Sequence, residues 1–351
     1  MSASGDRDAM SANPGSGIEV WACASWREAA VSWLDERLAD AGIERTGDVE
    51  QPHLRPWATV LKAPTTRGPV WLKATGPGTA FEVGLYEIIQ RVAPDRVLTP
   101  IATDVSRGWM VLPDGGASLG DHLSEVDLAE ALVTALPQYG QLQREISSHV
   151  ESLLELGVTD MRAGIMPHRF DEAIEVVGGY VEQRGDEGDR TMYRRVGSLR
   201  GTFASWCERL AAMPVPPSLD HNDLHPWNIL IGGTGGTDQV KFYDWGDGVV
   251  AHPFASMLVP LGFAQYQLGV DLDDPGLLRV RDAYLEVFGD LAPRAELVET
   301  LELACHVGKV ARALTWARAL REMGDDEDDK FASAPLHSLG SLLDDSYLGG
   351  A

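Results

Sequence analysis

The stretch Asp220–Leu230 has the sequence DHNDLHPWNIL and constrains the fold of this chain more than any other segment. Two acids, two imidazoles and two carboxamides lie between Asp220 and Asn228, and an apolar pair follows. Pro226 lacks a backbone N–H and opposes a continuous helix through the stretch. The sequence therefore predicts a polar loop that is a metal site, a proton-transfer site or a solvent-facing connection.

A zinc hydrolase is the first alternative, because helical zinc sites commonly use histidines spaced four residues apart. His221 and His225 have that spacing. Pro226 follows them directly, however, and the chain contains no H-E-x-x-H motif. These residues disfavour the zinc interpretation.

Phosphoryl transfer is the second alternative, and it needs oxygen ligands for Mg²⁺ together with a carboxylate that orients the acceptor hydroxyl. The protein-kinase motif H-R-D-L-x-x-x-N is matched at His221, Asp223, Leu224 and Asn228. Asp-Trp-Gly at 244–246 follows after two short apolar runs and corresponds to D-F-G. A hairpin between the motifs turns the chain back towards the loop, so that both motifs face one metal cluster.

A strand lysine completes this interpretation. Val-Trp-Leu-Lys at 70–73 has the pattern of the V-A-I-K strand, in which the lysine contacts the nucleotide phosphates. Glu82 at the start of the next helix is its expected partner, and Glu87 is the alternative. Each residue also has an ordinary explanation: Lys73 as a solvated strand end, and Glu82 as the last member of a capping box begun by Thr79.

Two absences separate the chain from protein kinases. Residues 48–67 contain no glycine, so a G-x-G-x-x-G loop over the phosphates is ruled out, and a tighter turn or exposed phosphates must replace it. No A-P-E segment follows Asp244. A divergent kinase-like enzyme remains compatible with both absences.

Composition limits the partners. The formal net charge of −24 over 351 residues repels nucleic acid and anionic membranes, so neither is expected as a partner. Three scattered cysteines suggest no disulfide framework, and no run reaches the roughly 18 apolar residues that span a bilayer. We expect a cytoplasmic protein, monomeric or homodimeric, without a signal peptide.

Hydrophobic periodicity predicts an α+β protein with two lobes. Residues 1–17 form a disordered tail, 18–113 a strand-containing lobe and 114–351 a helical lobe. Capping boxes are predicted at Ser25 and Thr79, and strands at 57–61, 70–74 and 108–112. Helices are predicted at about 119–136, 138–156, 168–183, 190–212, 276–288 and 294–321.

These motifs resemble those of the aminoglycoside phosphotransferase and choline kinase-like small-molecule kinases, over about residues 57–260. The resemblance rests on H-x-D-x-x-x-x-N at 221–228 and Asp-Trp at 244–245. It implies a bilobal protein kinase-like fold with ATP, or GTP, and Mg²⁺ in the interlobe cleft. It also implies that Asp223 is the catalytic base, that Asn228 and Asp244 bind Mg²⁺, and that Lys73 contacts the phosphates.

Further roles follow from the same resemblance. Met110 and Leu112 would contact the adenine, and His221 would brace the loop. His225 and Asp247 would be supporting residues. The chain departs from the family pattern after Asp244, where His252 replaces an acid and Ser256-Met257 replaces Asp-Leu.

The resemblance and the negative charge favour a small, cationic, hydroxyl-bearing acceptor, foremost an aminoglycoside-type or other aminated antibiotic. A metabolic acceptor (an amino sugar, a choline-like alcohol or a homoserine-like amino acid) is the alternative within this class, and a catalytically silent pseudokinase is the alternative outside it. Acids and aromatics of the C-terminal region are candidate acceptor contacts: Asp271, Asp273, Asp274, Glu286, Glu296, Glu299, Glu302, 325–329, Tyr266, Tyr284 and Trp316.

Overall fold

An antiparallel five-stranded sheet dominates the first third of the chain. The computed structural model describes residues 17–124, 126–232, 239–323 and 331–349, so most of the predicted tail and the acidic run 324–330 lie outside the described residues. The sheet has the strand order β1-β2-β3-β5-β4. Its strands are β1 (Glu50–Leu54), β2 (Ala58–Ala63), β3 (Val70–Thr75), β4 (Ala102–Asp104) and β5 (Trp109–Pro113).

The alternation of side chains along β3 and β5 gives the sheet two different faces. Leu72 and Val111 lie in a cluster with helix α2 (Ala24–Asp40), which follows the short helix α1 (Gly17–Trp21). Lys73 and Met110 lie on the opposite face, towards the cleft described below. The apolar residues on either side of Lys73 therefore fix which way its side chain points.

Two capping predictions are wrong. Helix α2 begins after Cys23, whose side chain makes no capping bond, so Ser25 lies inside the helix. Helix α3 (Phe81–Val92) begins after Ala80 without a side-chain cap. Strands β1 and β4 were not predicted, because EQPHL and ATD lack apolar alternation.

The rest of the chain is mainly helical, which confirms the predicted α+β class. Helix α4 continues through Pro137, so the predicted break there is wrong: buried Leu132, Leu136 and Tyr139 hold the helix in place across the missing hydrogen bond. The predicted helix start at 119 is a 3-10 turn, closed by a capping box between Ser118 and Asp121. These helices are α4 (Leu128–Ile146), α5 (Val150–Glu155), α6 (Met166–Gln183), α7 (Glu187–Ser198), α8 (Arg200–Ala211), α9 (Leu258–Leu268), α10 (Pro275–Glu286), α11 (Arg294–Met323) and α12 (Ala334–Gly340).

Two small sheets carry the polar loop. Strand β7 (Ser218–Asp220) pairs with β10 (Val249–Ala251), which also pairs with β6 (Thr159–Asp160). The predicted hairpin is confirmed by the antiparallel pairing of β8 (Ile229–Leu230) with β9 (Lys241–Phe242). The chain therefore leaves β7, forms the loop, turns through the hairpin and returns at Asp244.

The structure also bears on the predictions about cysteines, helix bounds and membrane spans. All three cysteines are free. The region predicted as one helix at 190–212 is two helices, α7 and α8, and α9 was not predicted. Among the described helices, none is both long and apolar enough to cross a membrane.

Leu72 tests how strongly the sheet core supports the strand that carries Lys73. Its side chain is fully buried, so Leu72→Ala is expected to lower the free energy of unfolding by about 2–5 kcal/mol through lost packing and the cavity left behind. Leu268, which is 41% exposed, provides the control: Leu268→Ala should change the free energy of unfolding by less than about 0.5 kcal/mol. Urea unfolding measures both, and equal effects would contradict the assigned core.

Candidate active site

A cleft of about 850 Å³ lies between the five-stranded sheet and the helical part of the chain. Its walls come from the cleft face of the sheet, the polar loop after β7, the segment after β9 and the C-terminal half of α11. Lys73, Asp223 and Asp244, which are far apart in sequence, all line it.

Lys73 forms the centre of an ion-pair cluster. Its Nζ lies 2.7 Å from Glu82 Oε1 and 2.5 Å from Asp244 Oδ1. Glu82, rather than Glu87, is thus the lysine's partner, and Glu87 instead accepts a hydrogen bond of 2.6 Å from Thr103. Glu82 is buried, with 1% of its side chain exposed, whereas Asp244 is 52% exposed.

Burial and charge act in opposite directions on this cluster. Burial alone would lower the pKa of Lys73, but the carboxylates of Asp244 and Glu82 outweigh it, and the pKa lies well above its usual value. Burial raises the pKa of Glu82 despite the adjacent ammonium. The Lys73 ammonium lowers the pKa of the more exposed Asp244. Lys73 is therefore charged, and Asp244 is an anion at the cleft surface.

Asp244 has a left-handed backbone conformation, with φ of 63°. Such conformations are uncommon outside glycine, although Asp and Asn tolerate them, and they concentrate at functional sites. The next residue, Trp245, is fully buried and donates a 3.3 Å hydrogen bond from Nε1 to the Phe242 carbonyl. Burial of Trp245 anchors the turn and keeps the Asp244 carboxylate directed at Lys73.

The loop after β7 places Asp223 and Asn228 side by side. Asn228 Nδ2 donates to the Asp223 carbonyl at 2.9 Å, so its side-chain oxygen is not engaged by that bond. Asn222 has φ of 59° and also needs the left-handed region. The HNDLHPWN stretch is thus a turned loop, as Pro226 indicated, and not a helix.

His221 joins the loop to the Asp244 segment. Its Nε2 lies 3.0 Å from the Tyr243 carbonyl, and its ring centroid lies 4.6 Å from that of Trp245. Burial lowers the pKa of His221, which keeps the imidazole neutral. This geometry fits a bracing residue and not a zinc ligand, and no cluster of three or more His, Cys, Asp or Glu within the described ranges could hold a metal.

His225 lies beside the carboxylate of Asp223. Its Nε2 is 3.4 Å from Asp223 Oδ2 and 3.5 Å from Asn228 Nδ2. The imidazole therefore faces one oxygen of Asp223.

Two arginines of α11 complete the cleft, and neither was predicted. Arg312 Nη1 donates to Asp223 Oδ1 at 3.0 Å and to the Asn222 carbonyl at 2.5 Å. Arg318 Nη2 donates to Asp247 Oδ1 at 2.6 Å and to the Gly246 carbonyl at 2.9 Å. The only signal in the sequence that could have indicated these two arginines is a polar stripe with helical spacing on a largely apolar helix.

Asp247 thus lies in the cleft wall, paired with Arg318. Burial raises its pKa, and the nearby Asp223 carboxylate adds to that effect.

Met110 and Leu112 on β5 line the sheet side of the cleft. The connection between β1 and β2 is the tight turn that the lack of glycine required, with Arg55 N donating to the Ala58 carbonyl at 2.9 Å. His53 and Trp57 from this hairpin also line the cleft. Side chains therefore occupy the position where protein kinases place glycines.

At one of the two departures from the family pattern, Ser256, the side chain binds Asp220. Ser256 Oγ donates to Asp220 Oδ1 at 2.7 Å, and the same oxygen accepts the Asn222 N–H at 2.7 Å. Burial raises the pKa of Asp220 to about 6. His252 is buried, with its pKa lowered to about 3, and its Nδ1 accepts the Phe254 N–H at 3.2 Å. The loop is therefore braced by an acid that precedes it.

Most candidate acceptor contacts lie away from the cleft. Tyr284 cannot stack on a ligand, because it is fully buried and its hydroxyl donates to Gln143 Oε1 at 2.6 Å. Tyr266 is 85% exposed, and among the described candidates only Trp316 lines the cleft. Residues 325–329 lie outside the described residues. The candidates outside the cleft are Asp271, Asp273, Asp274, Glu286, Glu296, Glu299, Glu302 and Tyr266.

A sequence model of the phosphotransferase enzyme family matches residues 83–297, which is more than half of the chain. The chain belongs to this family. Asp223, Asn228 and Asp244 fall within the match, whereas Lys73, Glu82 and Arg312 lie outside it. None of the curated protein sequences compared with the chain matches it.

Solved structures show the same fold as members of this phosphotransferase family. A choline kinase from Streptococcus pneumoniae is 16% identical, with a TM-score of 0.56 over 89% of this chain and 99% of that one. A macrolide 2'-phosphotransferase from Brachybacterium faecium is 16% identical, with a TM-score of 0.55 over 88% and 98%. A spectinomycin phosphotransferase in complex with ADP and spectinomycin is 13% identical, with a TM-score of 0.51 over 90% and 96%. The fold is the bilobal protein kinase-like fold.

Replacing Lys73 tests the electrostatic interactions within the cluster. Lys73→Met leaves the buried Glu82 carboxylate without its partner, which should cost about 3 kcal/mol of unfolding free energy near pH 8. Burial raises the pKa of Glu82 and the Lys73 ammonium opposes that rise, so the folded-state pKa of Glu82 rises further in Lys73→Met. The protonated side chain needs no cation and favours folding at low pH, and this contribution is lost as pH rises through the folded pKa. The loss in Lys73→Met should therefore be smaller at pH 5 than at pH 8.

Urea unfolding at both pH values checks this expectation. Lys62→Met removes a lysine of the same sheet that lies 4.8 Å from the Trp71 ring centroid, and it should cost less than about 1 kcal/mol at either pH. Replacing both Lys73 and Glu82, by Met and Leu, should restore most of the stability. A loss in Lys73→Met that does not depend on pH would contradict the assignment.

Proposed function

We propose that the protein transfers the γ-phosphoryl group of ATP, or of GTP, to a hydroxyl group of a small molecule. The single observation that carries this proposal is the meeting of Asp223 with the Lys73–Glu82–Asp244 cluster in one cleft. Phosphoryl transfer depends on positioning and on charge stabilisation, and these residues provide a cation for phosphates and a base for a hydroxyl.

Asp223 is the proposed catalytic base. Its side chain lines the cleft and is 27% exposed, so it can meet an acceptor. Its Oδ1 is held by Arg312, whereas the contact of Oδ2 within the described part of the chain is the longer one with His225. We assign Oδ2 as the oxygen that accepts the hydroxyl proton.

Asn228 and Asp244 are the proposed Mg²⁺ ligands. Mg²⁺ prefers oxygen ligands and keeps several waters, and it is commonly bound by one or two protein groups together with substrate phosphates. The half-exposed Asp244 carboxylate and the side-chain oxygen of Asn228 suit that ion. When bound, Mg²⁺ neutralises charge on the phosphate oxygens.

The nucleotide is proposed to lie against the cleft face of the sheet. Met110 and Leu112 provide an apolar surface for the base, and Lys73 faces the phosphates. The related spectinomycin phosphotransferase is described in complex with ADP. We therefore propose residues 18–113 as the nucleotide-binding lobe and 114–351 as the acceptor-binding lobe.

A cationic acceptor is supported by the charge of the cleft. Six carboxylates line it (Glu82, Asp114, Asp223, Asp244, Asp247 and Glu322), against three permanent cations (Lys73, Arg312 and Arg318). Trp316 lines the cleft and already stacks on Phe331, with ring centroids 5.5 Å apart, so a ligand ring would meet its other face. We propose an aminated antibiotic as the acceptor, with a choline-like or amino-sugar metabolite as the alternative class. Solved relatives include phosphotransferases named for antibiotics and for choline.

A silent nucleotide-binding protein is the alternative outside enzymes. Such a protein would lack at least one of Lys73, Asp223, Asn228 and Asp244, but all four are present, and Lys73, Asp223 and Asp244 line the cleft. Catalysis is therefore the favoured function.

A nucleotide-consumption screen tests this proposal. Purified protein with Mg²⁺ and ATP or GTP is mixed separately with spectinomycin, a macrolide, an aminoglycoside, an amino sugar, choline and ethanolamine, and products are detected by mass spectrometry. At least one acceptor should gain one phosphoryl group. Asp223→Ala should lower kcat by about 10²–10⁴-fold while MgATP affinity stays within about twofold, because the base acts on the acceptor. Full turnover by the variant would exclude Asp223 as the base.

Asp244→Asn tests the metal role without removing a side chain that tolerates the left-handed backbone. ATP affinity measured by calorimetry in Mg²⁺ should fall at least about tenfold, because a charged oxygen ligand is lost. In EDTA, the variant and the parent protein should bind ATP with affinities within about threefold of each other. An unchanged affinity in Mg²⁺ would remove Asp244 from the metal site.

A further inference from the structure

One face of α11 holds both polar segments of the active site. Arg312 donates to the Asn222 carbonyl and to Asp223 Oδ1, and Thr315 Oγ1 accepts the Asn222 Nδ2–H at 2.7 Å. Further along the helix, Arg318 holds Gly246 and Asp247. The helix therefore contacts the loop that contains Asp223 and the turn that follows Asp244.

The contact between Arg312 and Asp223 is a partly buried ion pair and not a contact on the open surface. The Arg312 side chain is 12% exposed and that of Asp223 is 27% exposed, so water screens the pair weakly. The same Nη1 atom also binds a backbone carbonyl of the loop, at a residue with left-handed φ. The carboxylate and the backbone that carries it are thus held by one guanidinium.

The residue directly before Asp223 carries no charge in this chain. The protein-kinase motif has arginine directly before the catalytic aspartate, whereas this chain has Asn222. Asn222 points its amide at Thr315 and has no charge to offer to Asp223. The positive charge beside the aspartate comes instead from Arg312, which lies outside the residues matched to the family.

We propose that Arg312 is a positioning residue for the phosphoryl transfer described above. It binds Asp223 Oδ1 and thereby turns Oδ2 towards the acceptor hydroxyl. This inference rests on the proposed function, because it assumes that Asp223 is the base. Arg312 acts through Asp223 and not on the nucleotide phosphates, for which Lys73 is the cation.

Kinetics of three single variants test the role. The acceptor is whichever compound of the screening panel the parent protein phosphorylates. Arg312→Met should lower kcat about 10²-fold, since misplacing a reacting group by about 1 Å costs that much, and the KM for MgATP should stay within about twofold. Arg312→Lys keeps the charge but loses the planar guanidinium that places Nη1 between Asp223 Oδ1 and the Asn222 carbonyl, so it should recover only part of the rate. A raised MgATP KM with unchanged kcat would overturn the proposal and make Arg312 a phosphate-binding residue.

Arg294→Met is the matched control. Arg294 begins the same helix and also pairs with an aspartate, Asp282, but both side chains are exposed and the pair does not line the cleft. Its kcat and KM should stay within about twofold of the parent values. A comparable loss of kcat in this variant would show that any break of an ion pair on α11 impairs the enzyme.

A double-variant cycle separates action through Asp223 from independent catalysis. If Arg312 works through Asp223, Arg312→Met added to Asp223→Ala should lower the residual rate by less than about threefold, because groups that act as a unit are not additive. A further loss near 10²-fold would mean that Arg312 acts on the transferred phosphoryl group, which overturns the proposal.

The same cycle measured by Tm in substrate-free protein does not depend on turnover. The two single replacements should lower Tm by amounts whose sum differs clearly from the change in the double variant, because the residues are in contact. Additive changes would show that the ion pair does not form. If no panel compound is phosphorylated but the Tm changes are coupled, the proposed function fails while the contact stands.

Discussion

The ammonium of Lys73 is the interaction on which the rest of the active site depends. It is the point where the sheet, helix α3 and the segment after β9 meet, because its two carboxylate partners come from the latter two elements. Taking Glu82 and most of Lys73 out of water costs several kcal/mol per ion unless the geometry is good, so these two charges are stable only as a pair. The cluster fixes the position of a positive charge, because the packing that orients β3 also fixes where the Lys73 ammonium lies in the cleft.

A second constraint is the internal support of the catalytic loop. Asp220 Oδ1 holds the start of the loop by accepting hydrogen bonds of 2.7 Å from Ser256 Oγ and from the Asn222 N–H. The His221 imidazole contacts the Tyr243 carbonyl. Hydrogen bonds between buried polar groups favour one arrangement of the chain, because an unpaired buried group is costly. The strained backbone at Asn222 is held by these partners together with Thr315 of α11. The loop and the Asp244 turn therefore form one rigid unit, although they are separated by a hairpin.

The sequence predicts the parts of this arrangement that local chemistry determines. The Val-Trp-Leu-Lys pattern predicts the strand that carries Lys73, and the apolar runs near 229 and 241 predict the hairpin. Both are observed. Capping at Thr79 was predicted wrongly because the same Glu82 satisfies a buried lysine, and tertiary contacts outweighed the local motif. Arg312 could not be predicted, because its partner lies 89 residues away in sequence and no short motif links them.

The distribution of burial within the Lys73 cluster also determines how a phosphate can enter. Lys73 is shared between one carboxylate that is 1% exposed and one that is 52% exposed. Displacing Glu82 would leave a buried charge without a partner, whereas Asp244 can exchange its contact with the lysine for water or for a cation at small cost. In the function proposed above, an incoming phosphate oxygen would therefore replace Asp244 and not Glu82 beside the ammonium. Once a phosphate takes its place beside Lys73, the Asp244 carboxylate oxygen would be free to bind a metal ion. Phosphate entry and metal binding would therefore favour each other.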